Sequence, residues 1–249
     1  ALVVTTIAYL PGLQGGFLFD DYPNIVDNQG VQPHDASLPS LVRAALASPA
    51  SDFKRPLASL SFAANYLVTG IDPYWMKLTN LILHLLNGLL VFFLARLLLR
   101  SVSAEDQYLR SNMVAVLVAA GWMLAPINLT AVLYVVQRME SLANLFVLLG
   151  LLGYVTGRRR MLAPAIIPSP ASRGRLGMGR FSPRIQGFIL CLISVTIPTA
   201  TGILAKETAV MLPLYTLLIE WALFRFRKPL ELATLSQEDG TEARHRDFL

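Results

Sequence analysis

Two adjacent carboxylates, Asp20 and Asp21, follow Gly15-Gly16 and sit among Phe17, Phe19, Tyr22 and Pro23. Burial against aromatic rings raises a carboxylate's pKa and a nearby cation lowers it, so such a pair can be tuned to take a proton from a hydroxyl. The plainer reading is two solvated acids before a Tyr-Pro turn. Arg138 lies in the run Tyr134 to Ser141, where Gln137, Ser141 and Asn144 share one helical face. Its planar fork suits a phosphate, and an ion pair with Glu140 or a loop acid is the alternative. Lys206-Glu207 offers a point charge for a phosphate with a carboxylate to orient it, or a solvated turn. Arg55 stands directly before Pro56, a residue suited to a helix's first turn. Lys77, Asn80, His84 and Asn87 are spaced so that all four fall on one helical face. In a membrane span such a stripe faces a polar cavity or hydrogen-bonds a neighbouring helix.

The elements that hold these residues follow from composition. The chain has 249 residues, 54% hydrophobic and only 15% charged, with a mean hydropathy of +0.53. That excludes disorder and points to an all-α, polytopic transmembrane bundle. A span needs about 20 apolar residues. Candidates are 74–99, 113–129, 133–155, 185–204 and a short 210–224. The opening run 1–13 is too short and reads as the end of a helix, so the first of about six spans is expected to be truncated and the chain to be part of a longer protein. The single Cys191 excludes an internal disulfide framework, and three histidines are too few for a Cys/His zinc cluster. No metal ligand cluster and no cofactor is expected.

Arginine and lysine orient the bundle. Arg100, Arg110, Arg158, Arg159, Arg160, Arg173, Arg175, Arg180, Arg184, Arg225, Arg227 and Lys228 fall on one set of loops. That set is cytoplasmic, and its segment 157–184 is a basic linker for topology and anionic lipid rather than a nucleic-acid footprint. Residues 1–228 form the membrane region and 229–249 a polar tail. The opposite face carries a long outer loop, 15–72, with six aspartates and two short amphipathic stretches, LPSLVRAAL and PLASLSFAANYLV. Asp20, Asp21, Arg55, Arg138 and Lys206 all fall at this face, the footprint of an anionic amphiphile with its phosphate at headgroup level. Glu220, near the inner end of the last span, is expected to pair with Arg225. Asn128-Leu129-Thr130 matches a glycosylation pattern but lies at the membrane edge.

Five ordered blocks carry a family resemblance: FLFDDYPNIVDN (17–28), KRPLASLSFAANYL (54–67), DPYWMKLTNLILHLLNGLLVFFLARLL (72–98), APINLTAVLYVVQRMESLANLF (125–146) and LAKETAVMLPLYTLLIE (204–220). They resemble the membrane part of GT-C glycosyltransferases that use polyprenyl-phosphate sugars. Within that group they resemble the transmembrane and tetratricopeptide-repeat O-mannosyltransferases and their bacterial relatives. The resemblance implies transfer of a sugar from a lipid-linked polyprenyl-phosphate donor to a protein or lipid hydroxyl outside the membrane. In a bacterial relative this is the periplasmic side of the inner membrane. It implies that Asp20 or Asp21 is the general base, and that Arg138 holds the donor phosphate with support from Lys206 or Arg55. Asn80, His84, Gln137, Glu140 and Glu207 are supporting polar groups. Relatives differ in their need for a metal. One departure is Ala125-Pro126, where the family usually reads His-Pro. It leaves a non-catalytic relative that kept the fold as the second reading; a transporter ranks third, because the polar groups gather at one face rather than at the midplane.

Overall fold

The computed structural model describes residues 1–102, 108–163 and 182–227. Arg173, Arg175, Arg180, Lys228 and the 229–249 tail lie outside the described residues. Those described are helical with no strand. The helices are α1 (Leu2–Tyr9), α2 (Leu38–Ala45), α3 (Pro56–Thr69), α4 (Pro73–Val102), α5 (Tyr108–Leu124), α6 (Leu129–Leu133), α7 (Arg138–Leu162), α8 (Pro183–Ile203) and α9 (Leu212–Ile219). Four stretches are long and apolar enough to cross a membrane: Pro73–Ser101, Val135–Leu162, Pro183–Ile203 and Glu207–Phe224. The pair Leu109–Leu124 and Pro126–Leu133, bent by 52°, makes a fifth if it is one span, and Leu2–Gln14 is a shorter apolar helix. Both amphipathic stretches of the outer loop are helical, as α2 and α3.

The bend has a local cause. Pro126 has no N–H, and the residue before a proline is pushed out of the helical region; Ala125 is accordingly extended. The carbonyls freed at the end of α5 find other donors. Asn128 donates its side-chain amide to the Trp122 carbonyl (2.6 Å), while the Tyr9 hydroxyl donates to the Met123 carbonyl (3.2 Å).

The polar stripe on α4 does related work along the first half of that helix. The Lys77 ammonium donates to the carbonyls of Gly15 (2.6 Å) and Gly16 (2.9 Å). The Asn80 amide reaches the carbonyls of Val132, Tyr134 and Val135 at 3.2–3.4 Å. His84 Nε2 lies 2.9 Å from the Met123 carbonyl, its ring stacked on Trp122 and edge-on to Tyr9. The Asn87 amide donates to the Ser141 carbonyl (2.9 Å). All four are buried. Of the two expectations for the stripe, interhelical bonding describes it: each side chain meets a backbone carbonyl on a neighbouring segment, three of them where regular helix is interrupted. Such groups have no water to turn to in lipid.

α7 packs most extensively on α8, and glycines let the two backbones meet. A Cβ on Gly157 would lie 2.7 Å from the Gly187 carbonyl oxygen, and one on Gly150 2.7 Å from that of Ser194. Small residues that admit close approach drive association in membranes. Gly157→Ala should therefore destabilise the bundle by about 1–3 kcal/mol. Gly121→Ala, whose Cβ meets nothing within 4 Å, should not. Thermal unfolding in detergent of the two variants checks this; equal midpoints would refute the packing argument.

Candidate active site at the outer face

The short stretch Tyr134–Ser141 is where the outer elements converge. Tyr134 is extended, a single 3-10 turn follows, and α7 begins at Arg138. Nearly every residue here meets a different part of the chain. Beneath them Ile25, Val31, Ala58, Phe62, Met76, Val135, Val136 and Met139 form one apolar cluster, which docks the outer loop on the ends of α4 and α7.

Asp21 and Asp20 separate into unlike roles. Asp21 is fully buried. One carboxylate oxygen accepts from the Leu18 N–H (3.0 Å), the other from the Val136 N–H (2.7 Å). Burial holds its carboxyl above the usual carboxylate range, while those bonds and the charge of Lys77 pull the other way. Asp20 is exposed, and its N–H donates to the Tyr134 hydroxyl oxygen (2.8 Å). Asn24 donates to the Asp20 carbonyl (2.8 Å). The preceding residue, Phe19, has φ +37°, a left-handed conformation costly for an aromatic residue. A clamp on either side of Asp20 thus holds a strained turn that presents one carboxylate to solvent.

Arg138 is also fully buried. Its Nε donates to Asn80 Oδ1 (2.8 Å), Nη1 to the Ser61 carbonyl (3.0 Å) and Nη2 to the Met76 carbonyl (2.8 Å), with the Phe62 ring 4.8 Å away. Among the described residues no carboxylate lies within ion-pair distance of it. Glu140, one of the expected partners, is elsewhere: it binds Lys206 (2.9 Å) and accepts from the Thr208 hydroxyl (3.2 Å). Glu207, expected to orient Lys206, instead takes Arg55 in a fork with bonds of 2.9–3.3 Å. Arg55 and the residue before it, Lys54, both have positive φ. The Leu57 N–H donates to the Leu204 carbonyl (2.9 Å), so the start of α3 is pinned to the 204–207 hairpin. Gln137 is half-buried within the same stretch.

At the opposite end, Glu220 is bound by Arg158 and by the Tyr154 hydroxyl (2.8 Å), rather than by the expected Arg225. The chain turns into the left-handed region at Arg225 and Phe226, which ends the helix before Arg225 completes the turn needed to reach back. Among the described residues no group of three or more His, Cys, Asp or Glu converges as a metal would require.

The arrangement is therefore one solvent-facing carboxylate on a fixed turn, and two cations, Arg55 and Lys206, held at the outer rim by carboxylates. Sequence reasoning missed Tyr134. Its position one residue before the break was visible, but the contact with Asp20 spans more than a hundred residues and has no sequence signal.

The protein O-mannosyl-transferase Tmtc3 of Drosophila melanogaster is 30% identical over 167 residues, 61% of this chain and 18% of that protein. Tmtc2 of the same organism is 31% identical over 226 residues, 88% of this chain and 20% of its own length. TMTC3 of Homo sapiens is 29% identical over 160 residues, covering 62% and 16%. The chain is a homologue of a portion of the protein O-mannosyl-transferases. It spans about a fifth of the length of these relatives. No family model matches, and no solved structure matches. The resemblance read from the five blocks thus holds at the level of these transferases.

Two predictions follow from the burial. Removing the guanidinium in Arg138→Met strands buried acceptors on α3 and α4, at a cost on the order of 3 kcal/mol. Arg138→Lys should recover only part, because an ammonium cannot span three acceptors in a plane; thermal unfolding in detergent reads both. Asp21 makes loop docking pH-dependent. With its folded pKa raised above the ordinary 3.8, the folded chain keeps the proton longer than the unfolded chain. Its contribution is thus fullest below 3.8 and is lost as pH rises through the raised value. Protease protection of the 15–72 loop should follow that slope, and Asp21→Asn should flatten it.

Proposed function

We propose that this chain forms part of a GT-C membrane glycosyltransferase that moves a sugar from a polyprenyl-phosphate donor to an acceptor hydroxyl at the outer face. The observation that carries the reading is the exposed Asp20 on its clamped turn, in a homologue of O-mannosyl-transferases. Asp20 is the general base and takes the acceptor's proton. The acceptor oxygen then attacks the anomeric carbon from the side opposite the phosphate, and the sugar–phosphate bond breaks with inversion. The polyprenyl phosphate leaves with the negative charge. Fixed cations aimed at that developing charge supply most of the acceleration. Lys206 and Arg55 fill this role, exchanging Glu140 and Glu207 for the phosphate; both are partly exposed at their outer-rim ion pairs. Arg138 acts through packing, setting the start of α7 on which both Asp20 and the rim are built. Asp21 positions Asp20 and does not titrate against substrate. By the positive-inside reading this face is periplasmic in a bacterial inner membrane.

Tyr134 completes the constellation as a positioning residue. Its hydroxyl accepts from the Asp20 N–H, and burial raises its pKa, with the Asp20 charge adding to that. A fixed base is worth more than a mobile one, because geometry comes before pKa in proton transfer.

The test is transfer of labelled sugar from lipid-linked donors by membranes that carry the full chain. Asp20→Asn should lower turnover by about 100-fold or more. Tyr134→Phe should lower kcat by about tenfold with KM little changed. Unaltered transfer in Asp20→Asn membranes would refute the assignment of the base. A wild-type protein silent with every donor would favour the non-catalytic reading, to which Ala125 in place of the family's usual histidine already points.

A further inference from the structure

The end of the bundle opposite the candidate active site carries a second arrangement that glycosyl transfer does not use. A cavity of about 420 Å³ is lined by Tyr154, Arg158, Met161, Phe188, Cys191, Glu220, Phe226 and Arg227, a volume within the range of small-molecule sites. Its depth is fixed by the spans around it. Arg158 lies four residues before the end of α7, Phe188 five residues into α8, and Phe226 two residues beyond the last span. At 1.5 Å per residue, all three fall within about 8 Å of a helix end. The cavity therefore sits where hydrocarbon gives way to headgroups.

Its chemistry is divided. Phe188 and Phe226 are more than half exposed and form an apolar wall with Met161. The polar floor is neutral, because Glu220 is matched by Arg158, which also donates to the Arg227 carbonyl (3.1 Å). That bond, with the left-handed pair Arg225–Phe226, folds the chain back and sets Arg227 on the rim. Since the floor carries no net charge, the exposed Arg159, Arg160, Arg225 and Arg227 decide the local potential, and it is positive. An occupant must be anionic at the rim and apolar where it meets Phe188 and Phe226. Basic pockets between spans on the cytoplasmic side meet that description when they hold acidic lipid headgroups.

We infer that this cavity binds an anionic glycerophospholipid of the cytoplasmic leaflet, its phosphate on Arg227 and its acyl chain along Phe188 and Phe226. This site is independent of the transferase reading. It would anchor the inner ends of α7, α8 and the last span to the leaflet while the outer ends do chemistry.

Native mass spectrometry of the detergent-purified full chain, titrated with phosphatidylglycerol or phosphatidylcholine, tests it. Phosphatidylglycerol should be retained preferentially. Arg227→Ala should weaken its retention about fivefold, and Arg227→Lys should keep most of it. Arg43→Ala, which removes an equal charge from the exposed face of α2, should change nothing. Unfolding midpoints of both alanine variants should match the parent, so that a loss of lipid is not a loss of fold. Equal retention of the two lipids would overturn the inference, as would equal losses from Arg227→Ala and Arg43→Ala. Displacement of the lipid by inorganic phosphate at comparable concentration would make the site a phosphate site instead.

Discussion

A buried guanidinium organises the outer half of this protein. Arg138 is fully buried, so its charge depends on the oxygen atoms that other segments bring to it. Those oxygens come from α3, through Ser61, and from α4, through Met76 and Asn80. Both elements must dock at the start of α7 for the fold to hold this one residue. Once they do, Val136 is in place to bind Asp21, Met139 lies against Arg55, and Glu140 stands beside Lys206. The candidate active site is assembled as a consequence of this docking.

The same logic runs down α4. Chain interruptions inside a membrane leave carbonyls without partners, and each carries a large penalty in hydrocarbon. Pro126 and the extended Tyr134 create such carbonyls, and Asn80 and His84 stand at the heights where they occur. Irregular backbone is what lets Tyr134 reach Asp20 and lets α7 begin at the outer face. The stripe on α4 therefore permits the local geometry on which the candidate site is built. The two ends of the molecule differ in kind: one rim keeps Arg55 and Lys206 in partly exposed ion pairs, whereas at the other the Arg158–Glu220 pair is largely buried and Arg159, Arg160, Arg225 and Arg227 are exposed around it.

Much of this was legible in the residues. Composition and apolar run length place the spans, because a bilayer imposes a length and a polarity that only a helix satisfies. The α4 stripe follows from spacing alone, whereas the stretch 113–129, which reads as one span, is broken at Pro126. The gathering of Asp20, Arg55, Arg138 and Lys206 at one face follows from counting alternate loops. Tertiary structure decided which of these groups is open and which is spent. Asp20 and Asp21 are neighbours of the same type, yet one meets solvent and the other the Val136 N–H, because a turn sends successive side chains in opposite directions. Arg138 is as basic as Arg55, and only packing makes the first a strut and the second a rim group. Partner choice was equally beyond the sequence: Glu207 took Arg55 rather than Lys206, and Glu220 took Arg158 rather than Arg225. An ion pair depends on where helix ends come together in space, and no local pattern in the chain encodes that distance.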